Sequence, residues 1–246
     1  METVGVTHVG NVRTVNEDTL MIECSNDPKY MLVADGMGGH AAGEIASKTA
    51  AQSIKDYING LKETKLSEQQ IRDAVEYANS KLLEDMQDNE QHKGMGTTLT
   101  FAHTDDSDII IAQVGDSSAF LYDGEDIKKL TTDHTYVQHL IDSGVIKKNA
   151  AEDYPFKNII TRALGMKKLD VDVYQNKWEK DNILMLCSDG LTSYVKIERI
   201  KEIIAGSESI RKKADTLVEE ALIAGGKDNI TVIIASNDLG EVVADD

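Results

Sequence analysis

Two periodicities alternate in blocks along the chain. Runs rich in β-branched and other apolar residues are read as strands at 3–9, 19–24, 30–34, 97–102, 109–114, 119–122, 171–174, 183–187 and 230–235. After the third run the period lengthens. Ile45, Ala46, Thr49, Ala50, Ser53, Ile54, Tyr57 and Ile58 share one face of a predicted helix that stops at Gly60. The small residues on that face call for close packing against another layer. A second helix is predicted to open at Ser67, with Gln70 completing a capping box, and to bury Ile71, Ala74, Val75, Ala78, Leu82 and Met86. A third is predicted to begin near Asp133. A fourth should run from about Ser209 through Leu217, Val218, Ala221 and Leu222 to the pair Gly225-Gly226. Helices in blocks between groups of strands indicate an α+β arrangement, not a doubly wound parallel sheet. No repeat or Pro-rich linker interrupts the pattern, so one domain is expected over 1–240, followed by an acidic tail at 241–246.

Composition narrows the function classes. A formal net charge of -17 on 246 residues repels nucleic acid and anionic membranes at long range. No stretch is apolar for long enough to cross a bilayer, and Met1-Glu2-Thr3-Val4 has no basic region leading into an apolar one. Cys24 and Cys187 each belong to an apolar run. No disulfide framework is expected, and a cytoplasmic location fits.

The acidity has a pattern. The run Tyr30-Met31-Leu32-Val33-Ala34 ends in Asp35-Gly36, the run 109–115 in Asp116, and the run 183–188 in Asp189-Gly190. Asp228-Asn229 comes just before the run 230–234, and Glu17-Asp18 forms a further acidic pair. Any one of these reads well as a turn, as Asp123-Gly124 does. Together they place carboxylates at the ends of buried strands, where like charges repel unless cations neutralise them. Glycine beside a carboxylate lets a backbone carbonyl approach as well. The donors are all oxygen, the histidines are scattered and the cysteines are not clustered. Hard cations such as Mg²⁺, Mn²⁺ or Ca²⁺ are implied, and structural zinc is disfavoured.

These residues fall into a known order. Gly10-Asn11-Val12-Arg13-Thr14-Val15-Asn16-Glu17-Asp18 resembles the opening motif of the PP2C-type (PPM) metal-dependent protein phosphatases, and Asp35-Gly36-Met37-Gly38-Gly39-His40 resembles the motif of their bacterial subgroup. Gly94-Met95-Gly96-Thr97-Thr98, Gly115-Asp116-Ser117, Asp133-His134, Lys157-Asn158-Ile159-Ile160-Thr161, Ser188-Asp189-Gly190 and Lys227-Asp228-Asn229 follow in sequence. The resemblance implies a four-layer α-β-β-α sandwich with two central antiparallel sheets. It implies hydrolysis of phosphoserine and phosphothreonine in proteins by attack of a bridging metal-bound water, with two catalytic Mn²⁺ or Mg²⁺ ions and a third. On that basis Asp35 would bridge two ions, with the Gly36 carbonyl on the second, while Asp189 and Asp228 complete the first. Asp116 and Asp189 would hold the third. Glu17 and Asp18 would orient metal-bound waters, Asn229 would support Asp228, and Arg13 would grip the substrate phosphate. The segment 143–165 corresponds to the family's flap beside the site.

Some positions depart from the pattern. Ser118 stands where many relatives carry Arg, which alters a local salt link. Met37 stands where animal members carry a His proposed as general acid. His40 is read as a structural hydrogen-bonding residue with no assigned proton transfer. Other chemistries fit less well. Neither cysteine is followed six positions later by Arg. Asp170-Val171-Asp172-Val173 resembles a haloacid-dehalogenase-type nucleophile motif, but Lys167-Lys168-Leu169 precedes it in place of a buried strand, so these are expected to be exposed strand carboxylates. A non-catalytic relative would have lost Asp35, Asp189 or Asp228. A two-metal nuclease is disfavoured by the acidity and the single tryptophan. The expected partners are phosphoproteins, among them a serine/threonine kinase and its substrates. No nucleic acid and no membrane insertion are expected, and the chain is expected to be a monomer.

Overall fold

The period-2 runs pair into two antiparallel sheets in the computed structural model, which describes residues 1–39, 42–147, 150, 151, 154–156 and 158–237. The first sheet has the order β1 (Glu2–His8), β11 (Ile230–Ser236), β10 (Ile183–Cys187), β7 (Ser118–Tyr122) and β8 (Ile127–Lys129). The second has the order β2 (Asp18–Glu23), β3 (Lys29–Met37), β5 (Leu99–Thr104), β6 (Asp108–Val114) and β9 (Asp172–Lys177), and the short β4 (Gly96–Thr97) also pairs with β3.

Strand alternation explains how the layers stack. Met31 and Val33 of β3 meet Leu184 and Leu186 of β10 and Ile233 and Ala235 of β11 in a core between the sheets. Their neighbours in sequence, Leu32 and Ala34, point the other way, onto α1 (Ala42–Leu61) and α2 (Glu68–Asp88). On the first sheet Met185, Cys187, Val232 and Ile234 face outward, beneath α5 (Ile197–Ala205) and α6 (Ile210–Ile223). Both faces of each central strand are therefore buried, which is why the runs read as continuously apolar. Each large side chain so buried contributes about 1.5–3 kcal/mol of transfer free energy. Ala46, Ala50 and Ala51 let α1 lie close to the sheet, and α2 opens on the expected capping box of Ser67 and Gln70. The four-layer α+β sandwich is thus observed. Among the described residues no helix is long and apolar enough to cross a membrane.

Most boundaries differ from the sequence reading by one or a few residues, and three of the differences bear on the site. The third helix, α3 (Tyr136–Asp142), is capped by Thr135 and does not include Asp133. Strand β3 continues past Ala34 through Asp35, Gly36 and Met37. Asp189 begins a one-turn helix, α4 (Asp189–Thr192), directly after β10. The strands β4 and β8 have too few residues to display a period, and the nine-residue α5 was not anticipated although Ile197, Ile200, Ile203 and Ile204 carry the helical spacing. His40 and the acidic tail 241–246 lie outside the described residues, as do parts of the 143–165 segment. The antiparallel order brings the C-terminal ends of β3, β6 and β10 and the N-terminal ends of β2 and β11 to one rim.

Candidate active site

That rim carries the acidic residues singled out from the sequence. Asp18 and Asp35 are direct cross-strand partners at the end of the β2–β3 pairing. The backbone of Asp35 is held on its other side by Thr98. The Thr98 hydroxyl accepts the Asp35 N–H at 2.9 Å, and the Thr98 N–H reaches the Asp35 carbonyl at 2.9 Å. The Thr97 hydroxyl donates to the same carbonyl at 2.9 Å. Asp116 follows β6, and its neighbour Ser117 shares a 2.8 Å hydroxyl contact with Thr98. Only glycine can occupy position 36: a Cβ there would lie 2.1 Å from the Gly43 carbonyl oxygen and 2.6 Å from that of Glu17.

The carboxylates act on one another. Burial, and then the charges of Asp18, Asp189, Asp116 and Asp228, push the Asp35 carboxyl well above the ordinary range. Burial also raises Asp116 to about 7, with Asp189 and Asp133 adding to it. Asp189 is pushed up to about 6 by burial and then by Asp228 and Asp133. Asp18 reaches about 6 through burial, against the opposing pull of hydrogen bonds from Thr231 and Ser188. Burial raises Glu17 as well, with Arg13 pulling it back. Asp35, Asp189 and Asp228 remain partly accessible, so the cluster opens to solvent.

The loop carrying Arg13 is tied down from the far side of the sequence. Asn229 accepts the Glu17 N–H at 2.8 Å and donates to the carbonyls of Val9 at 2.9 Å and Val15 at 3.0 Å. Its own backbone N–H reaches Asp228 Oδ1 at 2.9 Å. The expected support of Asp228 is therefore made by the Asn229 backbone, while its side chain clasps the loop. Arg13 Nη2 lies 3.0 Å from Asp228 Oδ2, and that hydrogen bond raises the guanidinium pKa further.

Several residues to which sequence reasoning gave no role take part in the site. Ser188 and Thr231 donate hydroxyls to Asp18 Oδ2 at 2.8 and 2.6 Å, linking the two sheets through one carboxylate. Asp133 faces Asp116 and Asp189, and both its oxygens accept from Lys129 at 2.6 Å. Lys129 thus supplies the cation beside Ser118, whose hydroxyl is 3.4 Å from Asp133. The reading of Asp172 as an exposed strand carboxylate is corrected. It is half-buried and accepts from His134 and Arg162, because β9 begins at this rim. A charged residue opening a strand at the acidic end was the available signal.

The C-terminal part of the 143–165 segment is tied to α3 and to β4. The Tyr136 N–H donates to the Ile159 carbonyl at 2.8 Å, and Leu164 and Thr97 exchange backbone bonds at 2.9 and 3.2 Å.

The donor set suits a hard divalent cation in kind and in charge. Asp18 Oδ1 and Glu17 Oε1 are buried side-chain oxygens with no hydrogen-bond partner, an arrangement that costs free energy unless something positive or protic faces them. Among the described residues no three His, Cys, Asp or Glu side chains stand in a metal-holding arrangement. The carboxylates are near enough to shift one another's ionisation without being gathered into a ligand set.

Comparison with known proteins agrees with this picture. Residues 4–223 match the profile of the family described as protein phosphatase 2C. The chain is 36% identical over 235 residues to the serine/threonine phosphatase stp of Listeria monocytogenes, covering 94% of this chain and 93% of that one. It superposes on the crystal structure of the serine/threonine phosphatase Stp1 from Staphylococcus aureus with a TM-score of 0.88 at 34% identity, covering 96% and 95% of the two chains. The catalytic domain of the serine/threonine protein phosphatase PstP, crystallised in complex with two manganese ions, superposes with a TM-score of 0.84 at 31% identity, covering 96% and 97%. With a profile match across most of its length and an acidic rim built from that family's motifs, the chain belongs to the protein phosphatase 2C family.

Proposed function

We propose that the protein removes phosphate from phosphoserine and phosphothreonine in proteins, with Asp35, the Gly36 carbonyl, Asp189 and Asp228 holding two divalent cations. The observation that carries this is the cluster of Asp18, Asp35, Asp116 and Asp189, whose carboxyls are pushed up by burial and by neighbouring acidic groups, beside the Arg13–Asp228 pair. Bound there, divalent cations would supply neutralisation of the phosphoryl oxygens and a lowered water pKa, the chemistry of direct hydrolysis without a covalent enzyme intermediate. Asp116 and Asp189 are the proposed holders of a third ion. Glu17 and Asp18 orient water, and the orphaned oxygen on each supports that role.

Arg13 grips the phosphate. Its fork is held by one carboxylate oxygen of Asp228 and is about half exposed, so it can turn toward an incoming dianion. The pair with Asp228 keeps the guanidinium at the rim before substrate arrives, which lowers the ordering cost of binding. The Asn229 clasp holds the backbone on both sides of Arg13, so only its side chain has to move.

The biological setting is part of the same proposal: a bacterial cytoplasmic monomer opposing a serine/threonine kinase, with that kinase and its substrates as targets. Manganese-dependent phosphate release from a phosphothreonine peptide, set beside a nucleic-acid diester, tests the reaction. Release from the peptide alone is expected. Turnover of the diester at a comparable rate would replace the reading with that of a nuclease.

A further inference from the structure

Asn11 lies two residues before Arg13, and nothing in the chemistry described so far uses it. Its side chain reaches across to the last turn of α6. The amide donates to the Leu222 carbonyl at 2.8 Å and to the Gly225 carbonyl at 3.0 Å. Its backbone N–H donates to the Gly226 carbonyl at 2.6 Å. The final carbonyls of a helix have no intrahelical partner and carry the negative end of its dipole, so an amide donor is a fitting cap. The contact is also close-fitted, since a Cβ at Gly226 would sit 3.1 Å from Asn11 Nδ2.

The connection has a geometric consequence. Two residues beyond Asn11 is Arg13, and two residues beyond Gly226 is Asp228. Those two side chains meet at 3.0 Å. Asn229 clasps Val9, Val15 and Glu17, gripping the base of the loop but not its tip. Asn11 is the tie on the N-terminal side of Arg13, two residues away as Val15 is on the other side, and it binds the loop to the segment that delivers Asp228.

We propose that Asn11 is a positioning residue for substrate binding: by capping the end of α6 it sets Arg13 beside Asp228, ready for the phosphate. This rests on the reading of Arg13 as the phosphate grip. Asn11→Ala removes both side-chain bonds. Asn11→Asp keeps the size but turns a carboxylate toward carbonyl oxygens.

The test is a double-mutant cycle with Arg13→Ala, measuring kcat and KM on a phosphothreonine peptide and manganese affinity by calorimetry. Each Asn11 variant should raise KM about 3–10-fold, as expected for one or two net hydrogen bonds. Neither kcat nor manganese affinity should change by more than about twofold on the same scale. In the Arg13→Ala background the Asn11 effect on KM should disappear. An Asn11 effect that persists undiminished without Arg13, or one that appears as weaker manganese binding, overturns the proposal. So does failure of both variants to fold, since Asn11 would then be a structural cap. A wild-type enzyme silent on the peptide overturns the functional reading and this inference with it, whereas an active wild type with indifferent Asn11 variants overturns the inference alone.

Discussion

His134 Nε2 stands 3.0 Å from Asp172 Oδ2, while the opposite ring nitrogen accepts the N–H of Gly115 at 3.1 Å. An acceptor at Nδ1 requires a neutral ring with its proton on Nε2, and Asp172 favours that tautomer. Burial lowers the His134 pKa, which also favours the neutral form. The ring therefore braces the turn immediately before Asp116, and Arg162 Nη1 donates to the other oxygen of Asp172 at 2.8 Å.

Asp172→Asn should lower unfolding free energy by about 1–3 kcal/mol, since one of the two oxygens that accept from His134 and Arg162 becomes a donor and the carboxylate charge is lost. Urea titration at neutral pH checks the magnitude, and its pH dependence checks the cause. Burial acts to raise the Asp172 pKa, but hydrogen bonds from His134 and Arg162 outweigh it and bring the pKa below the ordinary range. The contribution should be complete above the ordinary carboxylate range and be lost as pH falls through the depressed folded value. The Asn variant should lack that portion of the acid slope.

Asp35→Asn should reduce activity by at least about 100-fold, more than the loss of a residue that only supports a metal ligand. The protein should stay folded. Without divalent cations the variant should unfold at a higher temperature than wild type, because burial and four neighbouring carboxylates penalise the Asp35 charge. With manganese at about 100 times its Kd, wild type gains about 2.7 kcal/mol by linkage and the order should reverse. Thermal melts at pH 8 with and without the ion measure both signs.

Arg13→Ala should scarcely affect stability, since a half-exposed ion pair contributes only about 0–1 kcal/mol. The cost should appear in KM for a phosphopeptide, by about 10–100-fold, which corresponds to a lost charge-assisted hydrogen bond. Lysine at this position should recover only part, having no planar fork. Steady-state kinetics on all three proteins would separate these outcomes.

A second acid-sensitive point lies far from the rim. His103 accepts the Leu66 N–H on Nε2 at 3.1 Å and stands 2.8 Å from the Lys29 carbonyl through Nδ1, so it is neutral. Burial lowers its pKa. Stability from this site should be full above the unfolded value of about 6.5, decline as pH falls below it, and be gone once pH has passed the folded value. Replacement with Gln should flatten the stability profile in that window, as measured by denaturant midpoints.

Local sequence determined a good deal. Continuously apolar runs along 30–34, 183–187 and 230–235 identified strands buried on both faces, because side chains alternate between the two faces wherever the strand is placed. Ser67 and Gln70 fixed a helix start, since a capping box is made within four residues. The acidic residues at strand ends were visible as a class, as was the oxygen-only donor set.

Which side chains meet was decided by tertiary structure. That Asp18 stands opposite Asp35, that Thr231 and Ser188 satisfy one oxygen of Asp18, and that Asn229 holds the Arg13 loop all depend on strands distant in sequence becoming neighbours. The same is true of Asp172, whose partners lie 38 and 10 residues away. Hydrogen bonding and ionisation respond to distances of a few ångströms, and a sequence pattern reports only which face a residue occupies.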